Sequence, residues 1–405
     1  MSKVLFFAFD IAEAAQIRRI DMVRHLGHRV ASVSFRRENM NRDFVPDWPD
    51  LFLGPSTNGR FLLRIARLVR ALGRLWRHRA ELQESDVWIA RNFDMLVLAW
   101  AMRGLASRSD VRLVYECLDI HGLFTLPNAL GAAMRWAERR LLARIDLLIV
   151  SSPGFLRGYF EPVQDYDGPV AMLENKIWLG GAHVPRPEAP PSRWQGAPIR
   201  LGWVGSLRCS RSLELLVAAA EALGPDIEIL CRGSVHYHAL PDFDATIARH
   251  PNIRFGGSFR EISELADIYR SCDLVWSQDL WQTGGNSDWL LPNRIYEASY
   301  FGCPSIALSG TETGRRITSD GLGFTLDTAT PEALIAFLRG LDRAEITAVT
   351  AHILGMPDDR FRMFPAELAA RLAPVLLPPG AGRDLADSRS EGAPRDARAA
   401  SGFRT

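Results

Sequence analysis

The order of apolar runs along this chain constrains its fold more than any other feature. Short runs rich in β-branched and aromatic residues alternate with helix-length amphipathic segments, the pattern of parallel sheets built from βαβ units. In the first half the strand-like runs are Val4–Phe9, Arg29–Phe35, Asp86–Ala90, Arg112–Glu116, Ile145–Ser151 and Val170–Leu173. The alternation restarts at Ile199–Val204 and continues through Asp226–Cys231, Asn252–Phe255, Cys272–Ser277, Pro304–Leu308 and Gly323–Leu326. Right-handed crossovers make each series a doubly wound α/β domain. Between them, GGAHVPRPEAPPSRWQGAP holds too much Pro and Gly for a regular element and reads as a linker.

The expected organisation is a first domain over residues 1–179, a linker over 180–198 and a second domain over 199–355. A terminal helical stretch over 356–377 is expected to pack back on the first domain. The tail 378–405 has too few large apolar residues to order itself. With 405 residues, 47% of them hydrophobic, the chain can fill two cores. Its 48 Lys and Arg nearly cancel 47 Asp and Glu, so no global field argues for nucleic acid. The five cysteines are scattered, lack zinc-ligand spacing and read as reduced core residues. Val4–Phe9 reads as a core strand rather than a signal segment, and no run approaches the ~18 apolar residues of a spanning helix. A cytoplasmic protein, or one lying on the inner face of a membrane, is expected.

The second half carries the sharper motifs. Leu291–Ala307 encodes a short helix begun near Pro292, ended by Gly302 and followed by a buried strand, with Glu297 within the helix. Gly202–Ser212 places Gly205 and Ser206 at a strand end, then Arg208 and Arg211 at a helix start, where backbone N–H groups and fixed positive charge suit a diphosphate. A plain strand–turn–helix with solvated arginines fits the same residues. Gly233 permits close ligand approach after the next strand, and the loop Trp281–Trp289 offers polar groups to a sugar. The stretch PNRIYEASYFGCP resembles the P-N-K-x-x-E-x-x-x-x-G-x-P pattern of family-four-type bacterial glycosyltransferases. The glycine loop is similar to their G-R-L-x-x-x-K-G-x-x-x-L-L segment, with Arg211 in the Lys position. The resemblance implies the GT-B fold, two Rossmann-like domains facing a cleft, and a nucleotide diphosphate sugar as donor with no cofactor or metal. It implies donor contacts from Gly205, Ser206, Arg208, Arg211, Gly233, Asn293 and Arg294, with Glu297 on the ribose. One departure stands out: the family's first Glu, eight positions before Glu297, is Trp289 here.

In the first half, Asp119 and His121 follow a strand end, where either side chain can take a proton from an acceptor hydroxyl; a capping role in the loop is the alternative. Asp10, Arg18 and Arg19 are candidates for contact with a phosphate-bearing acceptor, although Arg18 and Arg19 point to different sides of one helix. Arg60, Arg64, Arg67, Arg70, Arg74 and Arg77 gather on one side of a cationic amphipathic helix, a candidate anionic-membrane face. A sheet-covering helix with solvated arginines has the same pattern. These motifs, with Phe35-Arg-Arg37, Arg91-Asn-Phe-Asp94 and Glu174-Asn-Lys176, resemble bacterial exopolysaccharide glycosyltransferases. That resemblance implies a lipid-linked saccharide acceptor at the inner face of the cytoplasmic membrane. Two other readings stay open: a sugar-nucleotide epimerase, and a degenerate subunit that binds a partner transferase. Asp242 and Asp244 form an Asp-x-Asp, but no clear active-site strand precedes it.

Overall fold

The computed structural model describes residues 1–37, 43–56, 61–82, 84–191, 197–259 and 262–376; at 61–64 and 81 it describes the backbone alone. The tail 378–405, Arg60 and the linker residues 192–196 lie outside the described residues. Seven parallel strands form the first sheet: β1 (Lys3–Ala8), β2 (Arg29–Arg37), β3 (Asp50–Ser56), β4 (Val87–Arg91), β5 (Arg112–Cys117), β6 (Leu147–Val150) and β7 (Val170–Met172). Their order is β3-β2-β1-β4-β5-β6-β7. The second sheet holds β8 (Ile199–Leu207), β9 (Ile227–Val235), β10 (Ile253–Phe255), β11 (Leu274–Trp276), β12 (Ser305–Leu308) and β13 (Gly323–Leu326), ordered β10-β9-β8-β11-β12-β13. Both are doubly wound, and each reverses its winding once, between β1 and β4 and between β8 and β11. Ligand crevices form outside the carboxyl ends of strands at such reversals.

Every strand-like run named from the sequence lies on a strand. One strand, β3, carries no such signal because its sequence DLFLGPS ends in Gly and Pro. Proline is tolerated there because β3 is an edge strand, and the pairing with β2 shifts register between Ser34 and Phe35. Asp50 ties the edge in place, accepting from the hydroxyls of Ser32 at 2.5 Å and Ser34 at 2.8 Å.

The chain passes between the sheets twice, and the two passes are hydrogen-bonded side by side. Ile177 N–H donates to the Phe361 carbonyl at 2.9 Å, and Met363 N–H donates to the Ile177 carbonyl at 2.8 Å. The helical stretch expected over 356–377 is accordingly interrupted: after a 3-10 turn over Asp358–Arg360, Arg362 bridges Ile177, and the helix proper is Pro365–Leu376. Its Leu368, Leu372, Val375 and Leu376 share one core with Val4, Phe6, Ile20 and Val114 of the first sheet and its first helix.

Beneath the first crevice, Glu116 is fully buried between two guanidiniums. Arg19 Nε donates to its Oε1 at 2.6 Å, while Arg91 donates to Oε2 from Nε at 3.1 Å and Nη2 at 3.0 Å. This corrects the assignment of Arg19 to an acceptor: its side chain points inward and bolts the helix Ala14–His25 to the ends of β4 and β5. Burial by itself would raise the Glu116 pKa, but Arg19 and Arg91 outweigh it and hold the carboxylate below its usual range. Removing one partner from a buried ion pair strands the others. Glu116→Ala should therefore cost about 3–5 kcal/mol in urea unfolding. Because the folded pKa is depressed, the wild-type contribution is complete above the ordinary carboxylate range and is lost as pH falls through the folded pKa. The stability difference between wild type and Glu116→Ala should narrow at acid pH.

Candidate active site

The two crevices face one another. A cavity of about 520 Å³ is lined from the first sheet by Arg37, Arg91, Asp119 and His121 and from the second by Arg208, Trp281, Gln282 and Asn286. A larger cavity, about 1310 Å³, lies where β8, β9 and β11 begin, among Ile199, Ile227 and Cys272, and holds none of the candidate site residues. The chemistry belongs to the smaller one, at the strands' carboxyl ends.

On the donor side, β8 runs on to Leu207 and the next helix is Ser210–Leu223. Gly205 takes φ +106° and Gly233 φ +130°; they pair across β8 and β9, and a Cβ on Gly233 would overlap the Gly205 carbonyl. Glycine is required at Gly233 for that close approach. Arg208 Nη2 lies 3.2 Å from Asp279 Oδ2, joining the ends of β8 and β11 at the winding reversal. Burial would raise the Asp279 pKa, but Arg208, Ser287 and the Trp281 N–H hold it below its usual range. Arg294 is buried and donates to the Trp276 carbonyl at 3.1 Å, and its pKa is lowered chiefly by burial. Glu297 accepts from the Tyr269 hydroxyl at 2.9 Å; burial raises its pKa, against Tyr269, Arg18 and Arg294. Ser206 and Asn293 are exposed, and Arg211, also exposed, donates to the Ala329 carbonyl at 3.2 Å.

On the acceptor side the candidates separate. Arg18 interacts electrostatically with Glu297 of the second domain; its pKa is pushed down to about 10, chiefly by burial, with Glu297 opposing. Asp10 is buried, its Oδ1 accepting from Ala12 N–H at 3.1 Å and Arg37 N–H at 3.4 Å and its Oδ2 lying 3.8 Å from Arg37 Nε, so it shapes the β1 loop. Asp119 Oδ1 accepts from Asn286 Nδ2 at 3.0 Å, and Asn286 Oδ1 accepts from Ile120 N–H at 2.7 Å. Although Asp119 is open at the cavity wall, protein surrounds it; the lost hydration raises its pKa, with Asn286 and Arg208 opposing and Glu13 and Asp279 adding to the rise. His121 lines the same cavity and caps the short helix Gly122–Thr125, its Nδ1 accepting from Leu123 N–H at 3.2 Å.

The loop Trp281–Trp289, expected to offer its polar groups to a sugar, lines the cavity with Trp281, Gln282 and Asn286 and, with the Leu291 that follows it, also docks the second domain on the first. Besides Asn286, the Trp289 carbonyl accepts from the Ser152 hydroxyl, and the Leu291 carbonyl accepts from Asn175 at 3.0 Å. A Cβ on Gly158 would overlap the Trp289 indole, whose ring lies 6.2 Å from that of Tyr159. The residue replacing the family's first Glu is thus an interdomain anchor. Asp288, its neighbour, accepts from Gly284 N–H at 2.8 Å and holds the loop itself. Asp279, Asn286 and Glu116 carry no motif in the sequence; a charged residue inside an otherwise apolar strand was the one signal for Glu116.

On the expected membrane face, the helix Phe61–Arg77 buries Ala71 and Leu75 but exposes Ile65, Val69 and Trp76 beside Arg70, Arg74 and Arg77. Arg67 lines the cavity, a correction to its outward placement, and the Arg64 side chain lies outside the described residues. Trp100 and Trp136, on the helices Phe93–Leu105 and Ala129–Leu142 packed alongside, are also exposed.

Truncating the anchor, Trp289→Ala, should destabilise the docked arrangement by about 3 kcal/mol, the low end for a tryptophan because it is only half-buried. The expected signs are a larger radius of gyration in solution scattering and two thermal transitions in place of one.

No family model matches the chain. It is 38% identical over 341 residues to the succinoglycan biosynthesis protein ExoL of Rhizobium meliloti (strain 1021), covering 84% of each chain. Among solved structures it is similar to sucrose-phosphate synthase from Thermosynechococcus elongatus, with a TM-score of 0.69, 14% identity, and coverage of 96% of this chain and 100% of that one. It is also similar to Anabaena Alr3699/HepE in complex with UDP and glucose, with a TM-score of 0.62, 14% identity and the same coverage. The fold is that of GT-B glycosyltransferases, and the chain belongs to the family of the exopolysaccharide-biosynthesis protein ExoL.

Proposed function

We propose that this protein is a glycosyltransferase of exopolysaccharide biosynthesis that moves a sugar from a nucleotide diphosphate sugar to a lipid-linked saccharide. The observation that carries this reading is the shared cavity: Arg208, at the winding reversal of the second sheet, and Asp119, at a strand end of the first, line the same 520 Å³ space. In the transfer, an acceptor hydroxyl oxygen bonds to the anomeric carbon as the bond from that carbon to the diphosphate oxygen breaks. Asp119 accepts the hydroxyl proton. Arg208 and Arg294 stabilise the charge that grows on the departing diphosphate, and Glu297 holds the ribose. Domain docking through Asn286 and Trp289 excludes water.

Support for a membrane-borne acceptor comes from the outer side of the first domain, where tryptophans and arginines lie together, the composition of an interfacial surface. Among the described residues no helix is long and apolar enough to cross a membrane, so attachment through this face is peripheral.

Thermal-shift titration with UDP, GDP, ADP and dTDP tests the donor site. UDP, the nucleotide of the Anabaena complex, should stabilise wild type by about 2.7 kcal/mol at a hundredfold excess over its Kd and should fail to stabilise Glu297→Ala. Stabilisation by none of the four would defeat the reading. The pH profile tests the base: the carboxylate must be ionised, so the rate should rise with pH through a pKa above the ordinary 3.8. Asn286→Ala removes a hydrogen bond to the ionised form, and its acid limb should move to higher pH. In flotation with phosphatidylglycerol vesicles, Val69→Ser combined with Trp76→Ser should weaken binding about tenfold or more.

A further inference from the structure

Among the described residues, four buried side-chain polar atoms around this cavity have no hydrogen-bond partner: Arg37 Nε, Ser56 Oγ, Arg91 Nη1 and Arg208 Nε. Arg208 belongs to the donor side, but the other three come from the ends of β2, β3 and β4, on the acceptor side of the cleft. Ser56 and Arg91 are 4% and 5% exposed, so their open valences are not met by bulk solvent. Leaving a buried donor unmade costs roughly 1–3 kcal/mol, more when it is charged, and three around one space call for an acceptor there.

Two further features fix the sign of that acceptor. The helix Phe93–Leu105 begins at the same wall; Asn92, at φ +69°, caps it by accepting from Met95 N–H at 3.3 Å, which leaves the positive end of thirteen aligned peptide dipoles at the cavity. Of the carboxylates near the two arginines, Glu116 is shared by Arg19 and Arg91, while Asp10 accepts from two backbone N–H groups through Oδ1 and leaves Oδ2, 3.8 Å from Arg37 Nε, without a hydrogen bond among the described residues. The remaining acidic residues of the lining are Glu13, Asp94 and Asp119. Beside these donors the wall turns apolar through Leu68, Phe93, Phe124 and Met134, continuous with the helix that exposes Val69 and Trp76.

We propose that Arg37, Ser56 and Arg91 form an anion subsite for the phosphate or diphosphate that joins the acceptor saccharide to its lipid. The inference rests on the transferase reading for its ligand. It takes the place of Arg19 as an acceptor-phosphate contact, since that guanidinium is paired with Glu116 inside the fold. Ser56 and Arg91 supply neutral and charged donors at fixed positions, and Arg37, on the outer rim, supplies charge as the ligand enters.

Calorimetric titration of inorganic pyrophosphate into the full chain tests the subsite without turnover, so its outcome is independent of the transferase reading. Arg37→Gln and Ser56→Ala should each weaken binding, Arg37→Gln by tenfold or more, and Arg37→Lys should recover part of the loss. Arg208→Gln should have the smaller effect. Loss confined to Arg208→Gln would assign the anion to the donor diphosphate and overturn the proposal, as would the absence of saturable binding by wild type. A transfer assay then identifies the source of the phosphate. With a polyprenyl diphosphate saccharide and the same saccharide as an alkyl glycoside, wild type should prefer the diphosphate, and Arg37→Gln should reduce the ratio of the two kcat/KM values about tenfold. An equal loss with both acceptors would mark Arg37 as merely structural and overturn the assignment.

Discussion

A carboxylate without solvent, held between two guanidiniums, sets the geometry of the cleft. Glu116 is costly to bury and pays its way only through both partners, so it fixes three elements at once: the helix carrying Arg19, the end of β4 carrying Arg91, and its own strand β5. Because Arg19 must point inward, Arg18, one position and about 100° around the helix, must point elsewhere; its charge is favoured by Glu297 of the other domain. Because Arg91 is gripped through Nε and Nη2, its Nη1 is left at the cavity wall. The network thus places one cation towards the donor side and another towards the acceptor side without using either for itself.

The second constraint is the seam between the domains. Loop Trp281–Leu291 does two things with neighbouring residues: Ser287 and the Trp281 N–H hold Asp279, the partner of Arg208, while Asn286 holds Asp119. The group expected to bind the leaving diphosphate and the group expected to accept the proton are therefore linked through a single short loop. Trp289 keeps that loop seated. Gly154 and Gly158 provide the seat, since a side chain at either would overlap Trp289. A carboxylate at Trp289's position would lose the packing of the indole against Gly158 and the Tyr159 ring, so the Glu of the resembled pattern does not suit this interface.

The fold was legible because it depends on periodicity: twelve apolar runs map onto strands, and β3 escaped because an edge strand can carry Gly and Pro. Residues at strand ends, such as Arg208 and Asp119, were legible for the same reason, since topology alone brings strand ends to the crevice. Orientation was not. Asp10 and Arg18 flank the same helix start as Arg19, yet only the pairing with Glu116, ninety-seven positions from Arg19, separates the inward cation from the outward one. Nor does a sequence disclose that the polar loop Trp281–Trp289 also contacts another domain. Such roles depend on partners distant along the chain, which local pattern does not carry.

The helix Phe61–Arg77 connects the two surfaces that the proposed function requires. Its inner side gives Arg67 and Leu68 to the cavity and its outer side gives Val69 and Trp76 to solvent, so consecutive residues belong alternately to the site and to the exposed face. A soluble saccharide would gain nothing from that arrangement. An acceptor with an apolar tail, a charged link and a polar head meets three matching zones in order: the exposed tryptophans and arginines, the buried donors of Arg37, Ser56 and Arg91, and Asp119 opposite Arg208. The order in space follows from the order of the first sheet. The anion donors come from β3 and β2 at one edge and from β4 at the centre of the sheet, and β5, which leads into Asp119, lies next to β4. The proposed subsite and the proposed base thus come from neighbouring strand ends of one parallel sheet.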